Sequence, residues 1–524
     1  MSHLATNRRS FARPGRRVAT RAALCLAVAV AVAQVVHTDR GVPTYGAVPE
    51  GEPVLLSNAD DSNAYTGVVR YNGRATCTGV LLDVIPEGED PGDAPAYVAT
   101  NGHCSDFPGA NEVLPDRPVT RHTVTFNYFA DTRAAHRVVP VARTAYATMK
   151  GHDIAIVELA IRYADLVGQG IVAWRPEVRL PSAGEPVVIV GAPLQQSPAT
   201  AYLRLAACAL QGRAPVVQEY IWHWYDFDRL GCRGVAPGSS GSPVISRLTG
   251  RVIGLLSTTT QGGRAPYTEC ALDHPCEPQG MADPLGLEEM SYATPLVRLD
   301  RCFDASGRFE LGGRGCPLDP GRQLTVTPSQ LGAVNPTLTT SPLGRVRTQW
   351  DVTVADRLDL AYYRYKVAST PAQECRDLRG YGVARRARVE PLIDDPLPVR
   401  DGSWYLCILA GPEARWGDDW QSVLFPTVVK VRIDTVPPRI TPPLAIRDAP
   451  DGWFVEFLTQ EPEVVGYRYK YGPPGRTRCS DEADYRPSFI PFITLPRRDG
   501  PYTFCAIPYD AAMNAGAVVE RVLM

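Results

Sequence analysis

No apolar run in this chain of 524 residues is long enough to cross a bilayer as a helix, which takes about 20 residues. The longest, Ala22 to Ala33, has 12. It follows 21 residues that carry six arginines (Arg8, Arg9, Arg13, Arg16, Arg17 and Arg21) and no acid, and it closes on the small residues Ala31-Val32-Ala33. A positive head, a short apolar core and a small-residue exit make residues 1–33 an expected export signal rather than an anchor. Arg8-Arg9-Ser10-Phe11 has some likeness to a twin-arginine signal. That route carries folded passengers and suits poorly a chain whose disulfides form outside the cytosol, so export of the unfolded chain is expected.

An excess of either charge is also missing. The net charge is −2, and loss of the six signal arginines moves it to about −8. A mildly acidic chain with no basic patch has no footprint for nucleic acid or anionic lipid. Zinc spacings are absent too: no C-x2-C or histidine-paired motif occurs among the 13 cysteines. Cys25 lies in the signal, and the remaining 12 fall into close couples: Cys77 with Cys104, Cys208 with Cys232, Cys270 with Cys276, Cys302 with Cys316, Cys375 with Cys407, and Cys479 with Cys505. An even count in an exported chain favours disulfides, with nearest-neighbour pairing the simplest scheme. The mature protein is therefore expected outside the cell, in the periplasm or at a cell surface.

What the sequence holds in quantity is β-type material. Hydrophobic residues make up 44% and charged residues 21%, enough for packed cores, and 45 glycines and 48 prolines supply turns. Residues 34–62 are polar and read as a lead-in or pro-segment. From Tyr65 onward come short runs rich in Val, Ile and Thr: TGVVRY, CTGVLLDVI, AYVAT, HTVTFNYF, DIAIVEL, EPVVIVG, SPVIS and RVIGLLS. Their spacing indicates an all-β barrel or sandwich over residues 63–316.

Pro317-Leu318-Asp319-Pro320-Gly321 then reads as a linker, and a repeat follows. Tyr363-Arg364-Tyr365-Lys366 recurs as Tyr467-Arg468-Tyr469-Lys470, and Cys375 recurs as Cys479, both 104 residues on. Asp401-Gly402 leads to Cys407 as Asp499-Gly500 leads to Cys505, and Asp434-Thr435-Val436-Pro437-Pro438 lies between the copies. A period near 100 means two whole domains, over residues 322–436 and 437–524. Each resembles the Ig-like or fibronectin-III-like sandwiches common at the C-termini of exported bacterial enzymes.

Three segments of the first β region carry chemistry: Thr100-Asn101-Gly102-His103-Cys104, Asp153-Ile154-Ala155-Ile156, and Gly238-Ser239-Ser240-Gly241-Ser242-Pro243. A serine hydroxyl is a poor nucleophile until an imidazole takes its proton, and a buried carboxylate must fix that imidazole's tautomer. Glycines around Ser240 permit a tight turn in which the amides of Gly238 and Ser240 converge on a developing oxyanion. These segments resemble the trypsin/chymotrypsin-like serine peptidases. TNGHC stands for that family's T-A-A-H-C, and GSSGSP for its G-x-S-G-[GS]-P, in the variant of bacterial members. The order His, Asp, Ser is also the family's.

The resemblance implies an all-β fold with a double six-stranded antiparallel barrel, here followed by two β-sandwich domains. It implies a catalytic triad of His103, Asp153 and Ser240, an oxyanion hole from Gly238 and Ser240, and a Cys77–Cys104 bridge bracing the histidine. The residue before the nucleophile is Ser239 where zymogen-activated members have Asp, so activation by insertion of a new N-terminus is not expected. Gly234 stands where trypsin-like members hold a charge. With Val235, Leu256, Ser257 and Thr259 it makes the expected specificity pocket, suited to an uncharged P1 residue, although the hydroxyls of Ser257 and Thr259 leave a glutamate preference open.

Other features are given no catalytic role. His152 should point away from Asp153 in an extended strand. Trp222, Trp224, Tyr225 and Phe227 are expected in the core, and the acidic stretch from Glu87 to Asp93 is expected to be a solvated hairpin tip rather than a calcium site. The segment 260–290, with its short couple of Cys270 and Cys276, is expected to be a disulfide-tied surface loop rather than a rim of the pocket. The reading is thus a monomeric exported serine endopeptidase without metal or cofactor, acting on peptides. Its C-terminal domains would bind a protein or cell surface, and the alternative is an inactive protease-fold adhesion protein.

Overall fold

Runs dense in β-branched residues and broken by Gly and Pro pack best as short strands, and the computed structural model of the chain is almost entirely strand. It describes residues 53–58, 62–194, 201–219, 221–261, 270, 272, 274–279, 282–341, 346–356, 361–369, 374–415, 425–439, 444–458, 464–488 and 490–524. The export signal and most of the lead-in lie outside these. Among the described residues no helix is long and apolar enough to cross a membrane.

Strands β1 (Val68–Asn72), β2 (Thr76–Leu81), β3 (Pro95–Thr100), β4 (Thr123–Phe126), β5 (Arg137–Thr148) and β6 (Ile154–Arg162) close into one antiparallel barrel, in the cyclic order β1-β2-β3-β6-β5-β4. Strands β7 (Pro186–Gly191), β8 (Arg204–Gln218), β9 (Trp222–Leu230), β10 (Pro243–Ser246), β11 (Val252–Thr259) and β12 (Ser291–Pro295) close a second, β7-β8-β9-β12-β11-β10. The two orders are the same. Val113–Pro118 adds to β5 and Val54–Leu55 to β8.

Side chains alternate across a strand, and here both faces find cores. Val187 and Ile189 enter the second barrel, whereas Val188 and Val190 join Val68, Val80, Ile154 and Ile156 in a shared core between the barrels. Val157 and Leu159 turn into the first barrel. DIAIVEL and EPVVIVG are near-continuous apolar runs because neither of their faces meets water.

The structure joins the twelve described cysteines in the six expected couples. Cys77 bonds Cys104 within the core of the first barrel, and Cys208 bonds Cys232 within the core of the second. Cys270 bonds Cys276, and the other three bridges join Cys302 to Cys316, Cys375 to Cys407, and Cys479 to Cys505. The expected disulfide-tied loop lies in part outside the described residues, but the bridge between Cys270 and Cys276 is itself packed inward. Both residues are fully buried, and Cys276 exchanges backbone hydrogen bonds with Val217 of β8 at 2.8 and 2.9 Å. A disulfide is apolar and loses nothing by leaving water, so this one packs against the barrel.

Cys302, Cys316 and Leu318 belong to the inter-barrel core, and Tyr146 donates to the Leu318 carbonyl at 3.1 Å. The stretch read as a linker is therefore packed down at its start. The aromatics of β9 are core: Trp224 and Phe227 are stacked at 5.2 Å beside Met149 and Tyr292. The acidic stretch is an exposed turn between β2 and β3, with Asp93 paired to Arg162 at 3.1 Å.

Two sandwiches follow. In the first, the sheet Thr325–Thr327, Val352–Ala355, Leu392–Ile393 faces the five-stranded sheet that contains Tyr362–Ala368, Gly402–Gly411 and Thr427–Ile433, around Trp350, Tyr363 and Leu406. In the second, Ala445–Ala449, Gly452–Glu456 and Phe492–Pro496 face a sheet containing Gly466–Gly472 and Tyr502–Tyr509, around Trp453, Tyr467 and Phe504.

The sequence repeat is a repeated latch. Lys366 Nζ donates to the carbonyls of Asp377 and Arg379 and lies 4.7 Å over the Tyr381 ring, whose hydroxyl reaches Cys375 O. Lys470 does the same with Asp481, Ala483, Tyr485 and Cys479. Between the sandwiches, Asn335 donates to Asn514 at 2.6 Å, and Asn514 donates to the carbonyl of Asp434 at 2.9 Å.

The first sandwich sits on the barrels. Asn111 exchanges two hydrogen bonds with the Val428 backbone, at 2.9 and 3.0 Å, and Arg376 pairs with Asp226 at 2.5 Å. Lys150, only 2% exposed, donates at 2.8 Å to each of Gln323 Oε1 and Thr427 Oγ1. Burial pulls its ammonium down from 10.5 to about 7. The unfolded chain then binds the extra proton between those values, so stability rises with pH across that window, by at most about 1.4 kcal/mol per pH unit. Lys150→Met should abolish this rise. Urea midpoints at pH 7 and pH 9.5 test it, and identical pH slopes for the two chains would refute a desolvated ammonium.

Candidate active site

Asp153 is placed by both barrels. It stands at the start of β6, fully buried, and its carbonyl accepts from Asn101 Nδ2 at 2.8 Å and from Thr294 Oγ1 of β12 at 3.0 Å. Its carboxylate has three donors. Oδ1 accepts the His103 backbone N–H at 3.1 Å, and Oδ2 accepts His103 Nδ1 at 2.7 Å and Ser257 Oγ at 2.5 Å. A carboxylate so engaged holds the imidazole with its proton on Nδ1 and leaves Nε2 as a base.

His103 sits in the single turn Gly102–Ser105 after β3, with its side chain 21% exposed. Gly102 is required there, because a Cβ would lie 2.2 Å from the Thr148 carbonyl oxygen. His103 Nε2 lies 3.5 Å from Cys104 Sγ. The sulfurs of Cys77 and Cys104 and a ring nitrogen of His103 cluster closely, but sulfurs joined in a disulfide offer no thiolate, so a metal does not fit.

Ser240 lies in the turn before β10, half-buried, between Gly238 and Gly241, both at positive φ. Thr78 of β2 ties this turn to the first barrel. Its N–H donates to Ser240 O at 2.8 Å and its hydroxyl to Gly238 O at 3.0 Å. The amides of Gly238 and Ser240 have no hydrogen-bond partner among the described residues. The Ser240 hydroxyl donates to the Ser257 carbonyl at 3.5 Å. Ser257 thus touches both Asp153 and Ser240, while no hydrogen bond joins Ser240 to His103 among the described residues. Catalytic hydrogen bonds are often long without substrate and tighten on binding.

The residues expected to form the specificity pocket are arranged beside this turn. Gly234, at φ 74°, is packed under Pro53, so that a Cβ would lie 2.0 Å from its ring. Val235 N–H donates to Gln261 Oε1 at 3.2 Å, and Leu256 pairs with the backbone of Gly241 and Ser242. Thr259 Oγ1 meets Met290 O at 3.2 Å and Ser291 Oγ at 2.9 Å. Ser257 spends its one proton on Asp153, so it supports that carboxylate rather than standing as a free pocket donor. Ser239 is buried, with its hydroxyl accepting from Ala236 N–H at 3.5 Å in its own turn. Among the described residues no hydrogen bond joins His152 to the side chains of His103, Asp153 or Ser240, and its ring packs on Phe425.

Sequence reasoning missed Thr78, Thr294 and Gln261. Thr78 was visible only as part of the C-T-G strand, and Thr294 and Gln261 carry no motif.

Two closed antiparallel barrels, with an Asp–His pair and a glycine-flanked serine at their seam, define the chymotrypsin-like fold. Residues 77–255 match the family model of the trypsin-like peptidase domain, the domain of serine proteases. No curated protein matches the chain. Among solved structures, the Rv3671c protease of M. tuberculosis in its inactive form is 15% identical, with 47% of this chain and 93% of that chain covered and a TM-score of 0.28. Neuropsin, a serine protease of mouse brain, is 15% identical, with 47% and 95% covered and a TM-score of 0.28. Human heparin binding protein is 10% identical, with 47% and 92% covered and a TM-score of 0.29.

Proposed function

We propose that the chain is an exported serine endopeptidase that cleaves peptide bonds through an acyl-enzyme on Ser240. The observation that carries this is the buried Asp153 carboxylate 2.7 Å from His103 Nδ1, beside a serine in a turn whose two amides have no partner among the described residues. Ser240 Oγ turns from the Ser257 carbonyl to His103 Nε2 and attacks the substrate carbonyl as the imidazole takes its proton. The amides of Gly238 and Ser240 donate to the oxyanion, which is worth about 3–4 kcal/mol for each such donor. The imidazolium, stabilised by Asp153, then protonates the leaving amine, and water repeats the sequence to release the acid.

The P1 residue is uncharged in this reading. No ionised side chain lies among Gly234, Val235, Leu256, Ser257 and Thr259, and Ser257 has its proton committed. Six disulfides belong to an oxidising compartment, in keeping with removal of residues 1–33 on export. The peptidase domain spans residues 63–316, and the Ig-like sandwiches over 322–436 and 437–524 hold it at a protein or cell surface.

A fluorophosphonate should label the wild-type chain at Ser240 and leave Ser240→Ala unlabelled, as peptide mapping by mass spectrometry would show. An unlabelled wild type that still binds a surface through its sandwiches would replace this reading with that of an inactive adhesion protein.

A further inference from the structure

The residues just ahead of Asp153 are held from two sides. Trp224 Nε1 donates to Met149 O at 3.0 Å, and Tyr225 N–H donates to Gly151 O at 3.0 Å, with Gly151 at φ 70°. These contacts come from β9. The turn is also contacted by the first C-terminal sandwich. Lys150 reaches Gln323 and Thr427, and the His152 ring meets Phe425 edge-on at 5.2 Å. The same sandwich also places Tyr405 edge-on to His223 of β9 at 5.2 Å, and Arg376 over Tyr225 at 5.4 Å.

This interface is poorly made for adhesion alone. It covers Lys150, His152 and His223, and the buried Nδ1 atoms of the two histidines have no hydrogen-bond partner among the described residues. Burial pulls His152 down to about 4, with Arg376 lowering and Asp226 raising it. Burial pulls His223 down to about 3, with Lys430 lowering it further. Such costs are accepted where a particular backbone conformation must be fixed. Here the fixed piece is a positive-φ turn that leads into the candidate triad carboxylate.

We propose that the first C-terminal sandwich is a positioning element of the candidate active site, seated on Lys150 and His152 so that the turn presenting Asp153 to His103 keeps one conformation. The proposal rests on the peptidase reading above. It gives the sandwich a role in turnover besides any in binding. Small displacements of a catalytic group cost large factors in rate, so loosened docking acts on kcat while the substrate cleft, built from the barrels, keeps its KM.

The test uses the full-length mature chain carrying Asn111→Ala together with Arg376→Ala, which removes two docking anchors, and separately with Thr427→Val and Thr427→Ser. Hydrogen exchange of residues 149–153, fluorophosphonate labelling rate, and kcat and KM on one peptide are measured for each. The double variant and Thr427→Val should exchange faster at 149–153 and lose roughly ten- to hundred-fold in kcat and labelling rate, with KM within about two-fold. Thr427→Ser should restore both. Faster exchange at 149–153 with unchanged kcat and labelling, or unchanged exchange in all variants, would overturn the proposal. A wild type that never labels would instead remove the peptidase reading, and hydrogen exchange would still decide whether the sandwich holds the turn.

Discussion

Asp153→Asn should lower kcat for peptide hydrolysis by about four orders of magnitude while leaving the chain folded. The bonding at residue 153 gives the reason. One carboxylate oxygen must accept the His103 backbone N–H, so the asparagine carbonyl takes that place. Its amide then faces His103 Nδ1 and Ser257 Oγ, where the carboxylate had accepted from both. Ser257 can reverse and accept. The imidazole can comply only by moving its proton to Nε2, the atom that receives the serine proton in the proposed mechanism. The variant keeps its hydrogen bonds, and so most of its stability, but holds the wrong tautomer. Full kinetics on wild type, Asp153→Asn, Ser240→Ala and the double variant decide it. The double variant should be no slower than Ser240→Ala, because a base has nothing to activate once the hydroxyl is gone. A loss of less than ten-fold in Asp153→Asn would remove Asp153 from the machinery.

Gly241→Ala should be among the most damaging single changes in the barrels, at about 3 kcal/mol or more of stability. At φ 81° any side chain is strained, and the added Cβ would lie 2.0 Å from the Thr78 carbonyl oxygen and 2.4 Å from Thr100 Oγ1. Neither can yield freely, since Thr100 donates to that carbonyl at 2.7 Å and the Thr78 N–H holds Ser240 O. The clash therefore moves Ser240, and on the proposed mechanism kcat should fall about a hundred-fold alongside. Gly88→Ala separates the two contributions. Its φ is 85°, but nothing lies within 4 Å of the added carbon, so about 1 kcal/mol is expected there with activity intact. Denaturation midpoints for both variants provide the comparison, and equal losses would mean that the close approach of Gly241 to Thr78 carries no cost.

Much of this site could be read from local sequence because its chemistry is local. The glycines about Ser240, the turn that carries His103 and the apolar strand after Asp153 each announce themselves within a few residues. What could not be read is tertiary. Ser257 looked like a pocket hydroxyl, and only the meeting of the second barrel with the first brings it onto Asp153. The pairing of Cys270 with Cys276 followed from their nearness in sequence, but their burial against Val217 is a long-range contact that no local pattern signals. The β-rich character was legible, but β5, β8 and β12 were not singled out. β8 runs through Gly212 and Pro215, residues that normally punctuate strands, and survives through register shifts around both. β5 likewise contains Pro140 and keeps its place by pairing with β4 and β6 along its length. The C-terminal repeat was visible because the Lys–Tyr–Cys latch needs the same residues at the same intervals in both sandwiches.

The junction at Asn514 bears on how load travels through the molecule. Its side chain grips both the chain leaving the first sandwich and Asn335 within it, so the second sandwich has no slack hinge there. A pull or a twist at the C-terminus would therefore reach the first sandwich through Asn514, and that sandwich rests on Lys150, three residues from Asp153.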